Sequence, residues 1–182
     1  AFLLRLIAGT QLLANDPSAF APPDTTDMAT YKMLSEQILN GKFPDVFYYQ
    51  PFYYSVFLPL VQCLTGPSGI MVVLAQSLCG AFAVWFTTLS AWMLGGRRTG
   101  VTAGLLLAFS GLAVLYTPYR LIAVSQLCWF SLLLFLTLYA MRKGGLFRWF
   151  LAGLALSIAI LSRGNALIFL FPLLLACFLS ER

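Results

Sequence analysis

Between residues 46 and 96 the chain runs for 51 residues without one charged side chain. A soluble domain carries charge on roughly a quarter of its residues; this chain is 60% hydrophobic and 9% charged, with a mean hydropathy of +0.87. Its working solvent is therefore lipid. The formal charge of +5 does not indicate nucleic acid, because the basic residues stand in short gaps between apolar runs, where topology and anionic lipid account for them. Cys63, Cys79, Cys128 and Cys177 are scattered through apolar segments without CxxC spacing and read as small buried hydrophobes.

A membrane-crossing helix needs about 20 apolar residues, and lipid offers the backbone no partner but itself, so apolar runs must be helical. An all-α, polytopic integral membrane protein follows, with about six crossings near 1–14, 70–94, 100–118, 121–141, 149–162 and 165–180. The first run opens without methionine and is interrupted by Arg5, with no basic leader before it. It reads as the end of a crossing rather than a signal peptide. Residues 1–182 are read as one transmembrane module, part of a longer chain. The stretch 149–180 would measure about 48 Å as one helix, against a bilayer core of about 30 Å. Two short helices meeting at Arg163 resolve both that excess length and the buried charge; a single long, bent helix is the alternative.

Arg97 and Arg98, Arg142 and Lys143 with Arg148, and Arg182 then share one side, which the positive-inside rule places in the cytoplasm. The long loop 15–66, the turn at 116–120 and Arg163-Gly164-Asn165 share the extracytoplasmic side. Five of the six acidic residues, Asp16, Asp24, Asp27, Glu36 and Asp45, lie in that first loop. Eight of the fifteen residues from 43 to 57 are aromatic. The competing reading of this face is anchoring alone: acidic loops are tolerated outside, and Tyr116, Tyr119 and Arg120 are ordinary interface residues.

Within the loop, Met28, Tyr31, Leu34, Ile38 and Leu39 recur at helical spacing and Asn40-Gly41 is a suitable stop. This predicts an interfacial amphipathic helix, with Lys32 and Glu36 on its wetter face. Asp24 or Asp27 is expected to cap its start, unless that carboxylate is kept for chemistry. The following segment is too rich in proline and aromatics for a plain helix, and suits a surface where rings meet lipid and hydroxyls meet water.

The series Asp27-x-x-x-Tyr31, Ile38-Leu39-x-Gly41 and Phe47-Tyr48-Tyr49-Gln50-Pro51-Phe52-Tyr53 resembles the first extracytoplasmic loop of GT-C superfamily glycosyltransferases that use polyprenyl-phosphate sugars. More narrowly it is similar to the bacterial branch related to protein mannosyltransferases. The run from Gly153 through Arg163-Gly164-Asn165 to Leu167 resembles the same family's segment ending in arginine and a small or polar pair. The resemblance implies an enzyme of the bacterial inner membrane moving a hexosyl or pentosyl group, with inversion, from a polyprenyl-phosphate-linked donor. The acceptor would be an extracytoplasmic glycan, lipid or protein. Membrane lipids and membrane-complex subunits are the other partners it allows.

On that resemblance Asp27, with Asp24 beside it, is the acid near the acceptor. Arg163, Arg120 and Tyr53 are the donor- or phosphate-binding candidates, a guanidinium offering phosphate a matched fork of donors. The alternative for Arg163 is an anchor that snorkels to the headgroups. Many relatives carry an acid early in the helix after the second outer turn, whereas this chain has Ser125-Gln126. That departure leaves the metal open, whether a divalent cation such as Mg or Mn or none. It also keeps two other readings in play: a non-catalytic GT-C-like subunit of a larger assembly, and a membrane transporter.

Overall fold

The computed structural model describes residues 1–16, 18, 22–45, 48, 50–66 and 68–180. Phe47 and Tyr49 of the aromatic series, and Arg182 of the basic set, lie outside the described residues. Every regular element among the described residues is helical. In chain order these are α1 (Phe2–Asn15), α2 (Asp27–Leu39), a π-helical turn (Tyr53–Phe57) leading into α3 (Leu58–Thr65), α4 (Gly69–Ala108) and α5 (Gly111–Leu115). There follow α6 (Ala123–Lys143), α7 (Leu146–Ser162), a 3-10 turn (Gly164–Phe169) and α8 (Leu170–Ser180).

The 40-residue α4 and the 21-residue α6 are long and apolar enough to cross a bilayer, and shorter apolar helices accompany them. Leu3, Trp85, Leu146 and Phe171 stand exposed, as outward-facing side chains do on a helical membrane protein, where lipid is as apolar as leucine.

Two of the expected crossings are arms of α4. At Gly96 the backbone takes φ 84° and ψ −177°, a conformation that costs glycine little and other residues much. The second arm folds back so closely that a Cβ on Gly100 would lie 2.8 Å from the Thr88 carbonyl oxygen and 2.9 Å from Trp92 Cβ. Small residues permit such backbone approach between helices in lipid.

The expected crossing at 100–118 is not one continuous helix. Its helix stops at Ala108, passes through Phe109 and Ser110, and resumes for the five residues of α5. A helix end leaves carbonyls without helical partners, and lipid supplies none. Arg5 of α1, fully buried, supplies them: its Nη1 donates to the Ala113 carbonyl and its Nη2 to the Leu107 carbonyl at 3.4 Å. Room for that side chain comes from Gly80 on the first arm of α4, where a Cβ would sit 2.6 Å from Arg5 Cδ.

The first arm of α4 runs parallel to α6. Gln76 bonds to Tyr119 just before α6, whereas further along Thr87 meets Ser131, their hydroxyls 3.2 Å apart, and Phe86 stacks on Phe135 at 5.7 Å. The chain reverses between α6 and α7, so Phe169 returns beside Phe130, ring centroids 5.6 Å apart. One end of the bundle therefore gathers Asp16, the turn 116–122, the aromatic loop and Arg163. The other holds Arg97, Arg98, Arg142, Lys143 and Arg148, the last donating to the Gly144 carbonyl at 2.6 Å and covering the Tyr139 ring.

Replacing Arg5 by methionine keeps apolar bulk and removes one donor from each carbonyl, leaving the Ser110 amide on Leu107 at 3.3 Å and the Thr117 hydroxyl on Ala113 at 3.2 Å. A hydrogen bond to a charged group contributes about 1.5–3 kcal/mol, so the variant is expected to unfold earlier by about that amount in a denaturant titration in mixed micelles. A titration that superimposes on the parent's would remove the bracing role.

Candidate functional site

Helix α2 begins on Thr26, whose Oγ1 accepts from the Ala29 amide at 3.4 Å. The cap expected from Asp24 or Asp27 is thus supplied by a neighbour. Asp27 occupies the first turn, where the helix dipole favours negative charge. Both carboxylates are exposed. One Asp27 oxygen lies 3.4 Å from the Tyr48 hydroxyl that donates to it. Asp24 lines an open cleft of about 510 Å³ with Pro22, Thr30, Lys32, Met33 and Glu36. The opposite face of α2 is buried through Tyr31, Leu34 and Ser35, and the Ser35 hydroxyl donates to Gln62 Oε1 of α3 at 2.8 Å. The expected stop is observed: α2 ends at Leu39 with Asn40 as cap, and Gly41 follows at φ 74°.

From Pro51 the aromatic segment is helical but, as its proline and aromatic content led us to expect, not a plain α-helix. The π turn at 53–57 lets consecutive residues Tyr53 and Tyr54 both point inward, at 0% and 2% exposure. Tyr53 is held edge-on by Tyr31 and stacked by Phe57, each at 5.4 Å between centroids. Its hydroxyl is buried with no hydrogen-bond partner. Burial pushes this phenol well above its usual range, while the positive charge of Arg120 pulls it back. Arg120 is itself buried, which lowers its pKa against the opposing pull of Tyr53 and Glu36. Tyr53 and Arg120, distant in sequence, therefore share one electrostatic environment.

Sequence reading passed over Gln50. It holds φ 69° and its Oε1 is buried without a partner. A residue preceding proline ordinarily sits in the extended region, and strained backbone of this kind concentrates at functional sites. Its position before Pro51 was the available signal.

Arg163 sits where two short helices were expected to meet, in extended backbone (φ −160°, ψ 116°) between α7 and the 3-10 turn. It is exposed. Beyond it, Phe130, Leu133, Leu134, Phe169, Pro172 and Leu173 line an apolar groove of about 350 Å³. Among the described residues no hydrogen bond or ion pair joins Arg163 to Asp24 or Asp27; the structure brings them to one end of the bundle but not into contact. Ser125 and Gln126, at the position where an acid was sought, are buried, and the Ser125 hydroxyl donates to the Ile122 carbonyl at 2.9 Å. No group of three metal-ligating side chains occurs among the described residues.

Asp16 links this end together. One of its oxygens accepts from the Ser18 amide (2.9 Å) and hydroxyl (2.6 Å), the other from the Tyr119 hydroxyl (2.7 Å). These bonds, that from the Ser18 hydroxyl foremost, hold the Asp16 carboxyl below its ordinary range, and the bond to Asp16 raises the Tyr119 phenol. A depressed carboxyl pKa contributes stability that is complete above the unfolded value of about 3.9 and fades as pH falls toward the folded one. The raised phenol contributes below about pH 10 and fades as pH climbs past it. Asp16→Asn is expected to flatten the acid limb of the stability–pH curve; thermal melts across that limb would refute the assignment if the parent and variant curves ran parallel.

Searches among curated proteins and among solved structures return no match. The profile of the dolichyl-phosphate-mannose-protein mannosyltransferase family matches residues 49–182. That stretch includes Tyr53, Arg120 and Arg163 and begins after Asp24 and Asp27. With most of its length covered, from the aromatic turn to the last apolar helix, the chain belongs to the dolichyl-phosphate-mannose-protein mannosyltransferase family of membrane glycosyltransferases.

Proposed function

We propose that the protein transfers a sugar from a polyprenyl-phosphate-linked donor to an acceptor outside the cytoplasm. The observation that carries this reading is Arg163, an exposed guanidinium at the break between α7 and the 3-10 turn; that turn leads to Phe169, which lines an apolar groove of about 350 Å³. An isoprenoid tail suits the groove, and its phosphate, at the bundle end, suits the fork of the guanidinium. Tyr53 and Arg120 form the inner wall of the donor site. Asp27, with an open first turn and Tyr48 beside it, takes the proton of the acceptor hydroxyl. As the acceptor oxygen bonds to the anomeric carbon, the carbon–oxygen bond to phosphate breaks and its electron pair leaves on the polyprenyl phosphate, inverting the centre. Asp24, in the neighbouring cleft, positions the acceptor.

One observation favours a second reading. With Ser125 and Gln126 buried and carrying no charge, every side-chain carboxylate of the described residues lies in the first loop or at its start. A non-catalytic subunit that kept the fold would show the same arrangement.

Asp27→Asn preserves shape and removes the base, which typically costs about 10²- to 10⁴-fold in rate. Arg163→Lys keeps charge but loses the planar fork, and Arg163→Gln loses both, so donor use should weaken in that order at equal expression. The measurement is transfer from a panel of polyprenyl-phosphate sugars in detergent-solubilised protein. Full turnover in the Asp27 and Arg163→Gln variants would discard these assignments, and a silent parent would favour the subunit reading.

Orientation in the bilayer follows from the basic end. In a background lacking Cys63, a cysteine placed at Asn40 is expected to react with a membrane-impermeant thiol reagent added from outside. One placed at Gly145 is expected to stay unlabelled until the membrane is opened. The reverse pattern would put the acidic loop in the cytoplasm.

A further inference from the structure

Arg120 lies in the segment 116–122, which joins α5 to α6 without regular helix. A segment of that kind keeps its shape only through bonds to its surroundings. Thr117 Oγ1 donates to the Ala113 carbonyl at 3.2 Å, and the Tyr119 carbonyl accepts from Gln76 Nε2 and from the Leu121 amide, each at 2.7 Å. A further bond comes from elsewhere. The Tyr119 hydroxyl donates to Asp16 Oδ2, crossing 103 residues of sequence from the turn to the end of α1.

We propose that Asp16 and Tyr119 are positioning residues for the donor site: their hydrogen bond clamps the start of the first loop to the turn 116–122 and so sets where Arg120 stands against Tyr53. The proposal rests on reading Arg120 and Tyr53 as donor-binding. Tyr119 and Arg120 are adjacent, the first half-buried and bonded to Asp16, the second buried and within electrostatic range of Tyr53 and Glu36. Tyr53 cannot follow a shift of the turn, because Tyr31 and Phe57 fix its ring from two sides. A rotation of the turn therefore changes the Arg120–Tyr53 geometry directly. Asp16 is locked in turn by Ser18, which occupies its other oxygen and keeps the second aimed at Tyr119.

The remaining bonds of the turn do not pass through this clamp. Gln76 still holds the Tyr119 backbone and Arg5 still holds the Ala113 carbonyl when the phenol is removed. Tyr119→Phe thus loosens the turn without unfolding it. Charge-assisted hydrogen bonds of this kind are worth about tenfold or more in an equilibrium.

The test is donor kinetics of the complete protein in lipid nanodiscs with polyprenyl-phosphate mannose as the probe, for the parent, Tyr119→Phe, Asp16→Ala, Arg120→Gln and the double variant Tyr119→Phe/Arg120→Gln. Either clamp variant should raise donor KM about tenfold and leave kcat within about twofold. In the Arg120→Gln background Tyr119→Phe should add nothing further. An unchanged KM, a fall in kcat alone, or equal effects of Tyr119→Phe with and without Arg120 would overturn the proposal. Amide hydrogen exchange over 116–122 reads the clamp with no donor present. A parent that transfers nothing defeats the functional reading by itself; faster exchange in Tyr119→Phe then upholds the clamp, and unchanged exchange removes it.

Discussion

A guanidinium in the middle of an apolar helix has to be paired or it is expelled, and the pairing of Arg5 organises the half of this protein that bears the site. Its partners are backbone carbonyls on either side of a helix interruption, Leu107 and Ala113. The two defects cancel: a cation that lipid will not solvate meets carbonyls that lipid will not satisfy. Because the break is tolerated, the chain reaches the bundle end through a short helix and an irregular turn, and that turn delivers Arg120 to the aromatic loop. Gly80 belongs to the same arrangement, since any side chain there would occupy the space of the arginine stem.

The bundle is electrically two-ended. Acid gathers at one end with the irregular backbone, and base at the other with the tight reversals at Gly96 and at 144–145. Even so, the cations Arg120 and Arg163 stand at the acidic end. Arg120 is buried within electrostatic range of Tyr53 and Glu36, whereas Arg163 is exposed. One is enclosed by the fold and the other is open to its surroundings.

Much of this was legible in the chain, for reasons that differ by element. The all-helical class follows from hydropathy, because lipid permits little else. The break at Arg163 was readable from length, since 32 residues do not fit one crossing, and the end of α2 was readable from Asn40-Gly41. Other features were hidden because they depend on pairs that no local pattern reveals. Arg5 looked like a blemish in an apolar run until its carbonyl partners, more than 100 residues away, were in view. The interruption at 109–110 leaves no trace in hydropathy. Thr26 rather than an aspartate caps α2, a choice between adjacent residues of nearly equal capping strength. Of the site candidates, Tyr53 and Arg120 share an environment, while Asp24, Asp27 and Arg163 share only an end of the bundle.

The π turn at 53–57 sets the angular phase of everything before it. A π turn holds one residue more than the α-helical turn it replaces, and one residue of an α-helix corresponds to about 100° of rotation. A chain shorter by a single residue here would close the turn as ordinary helix, swing Gln50 and the acidic loop about a third of the way around the axis, and separate Tyr54 from Tyr53 on the inner face. The aromatic loop is therefore intolerant of length change even where it tolerates substitution, and insertions or deletions near Tyr53 would disturb the site more than most exchanges of one ring for another.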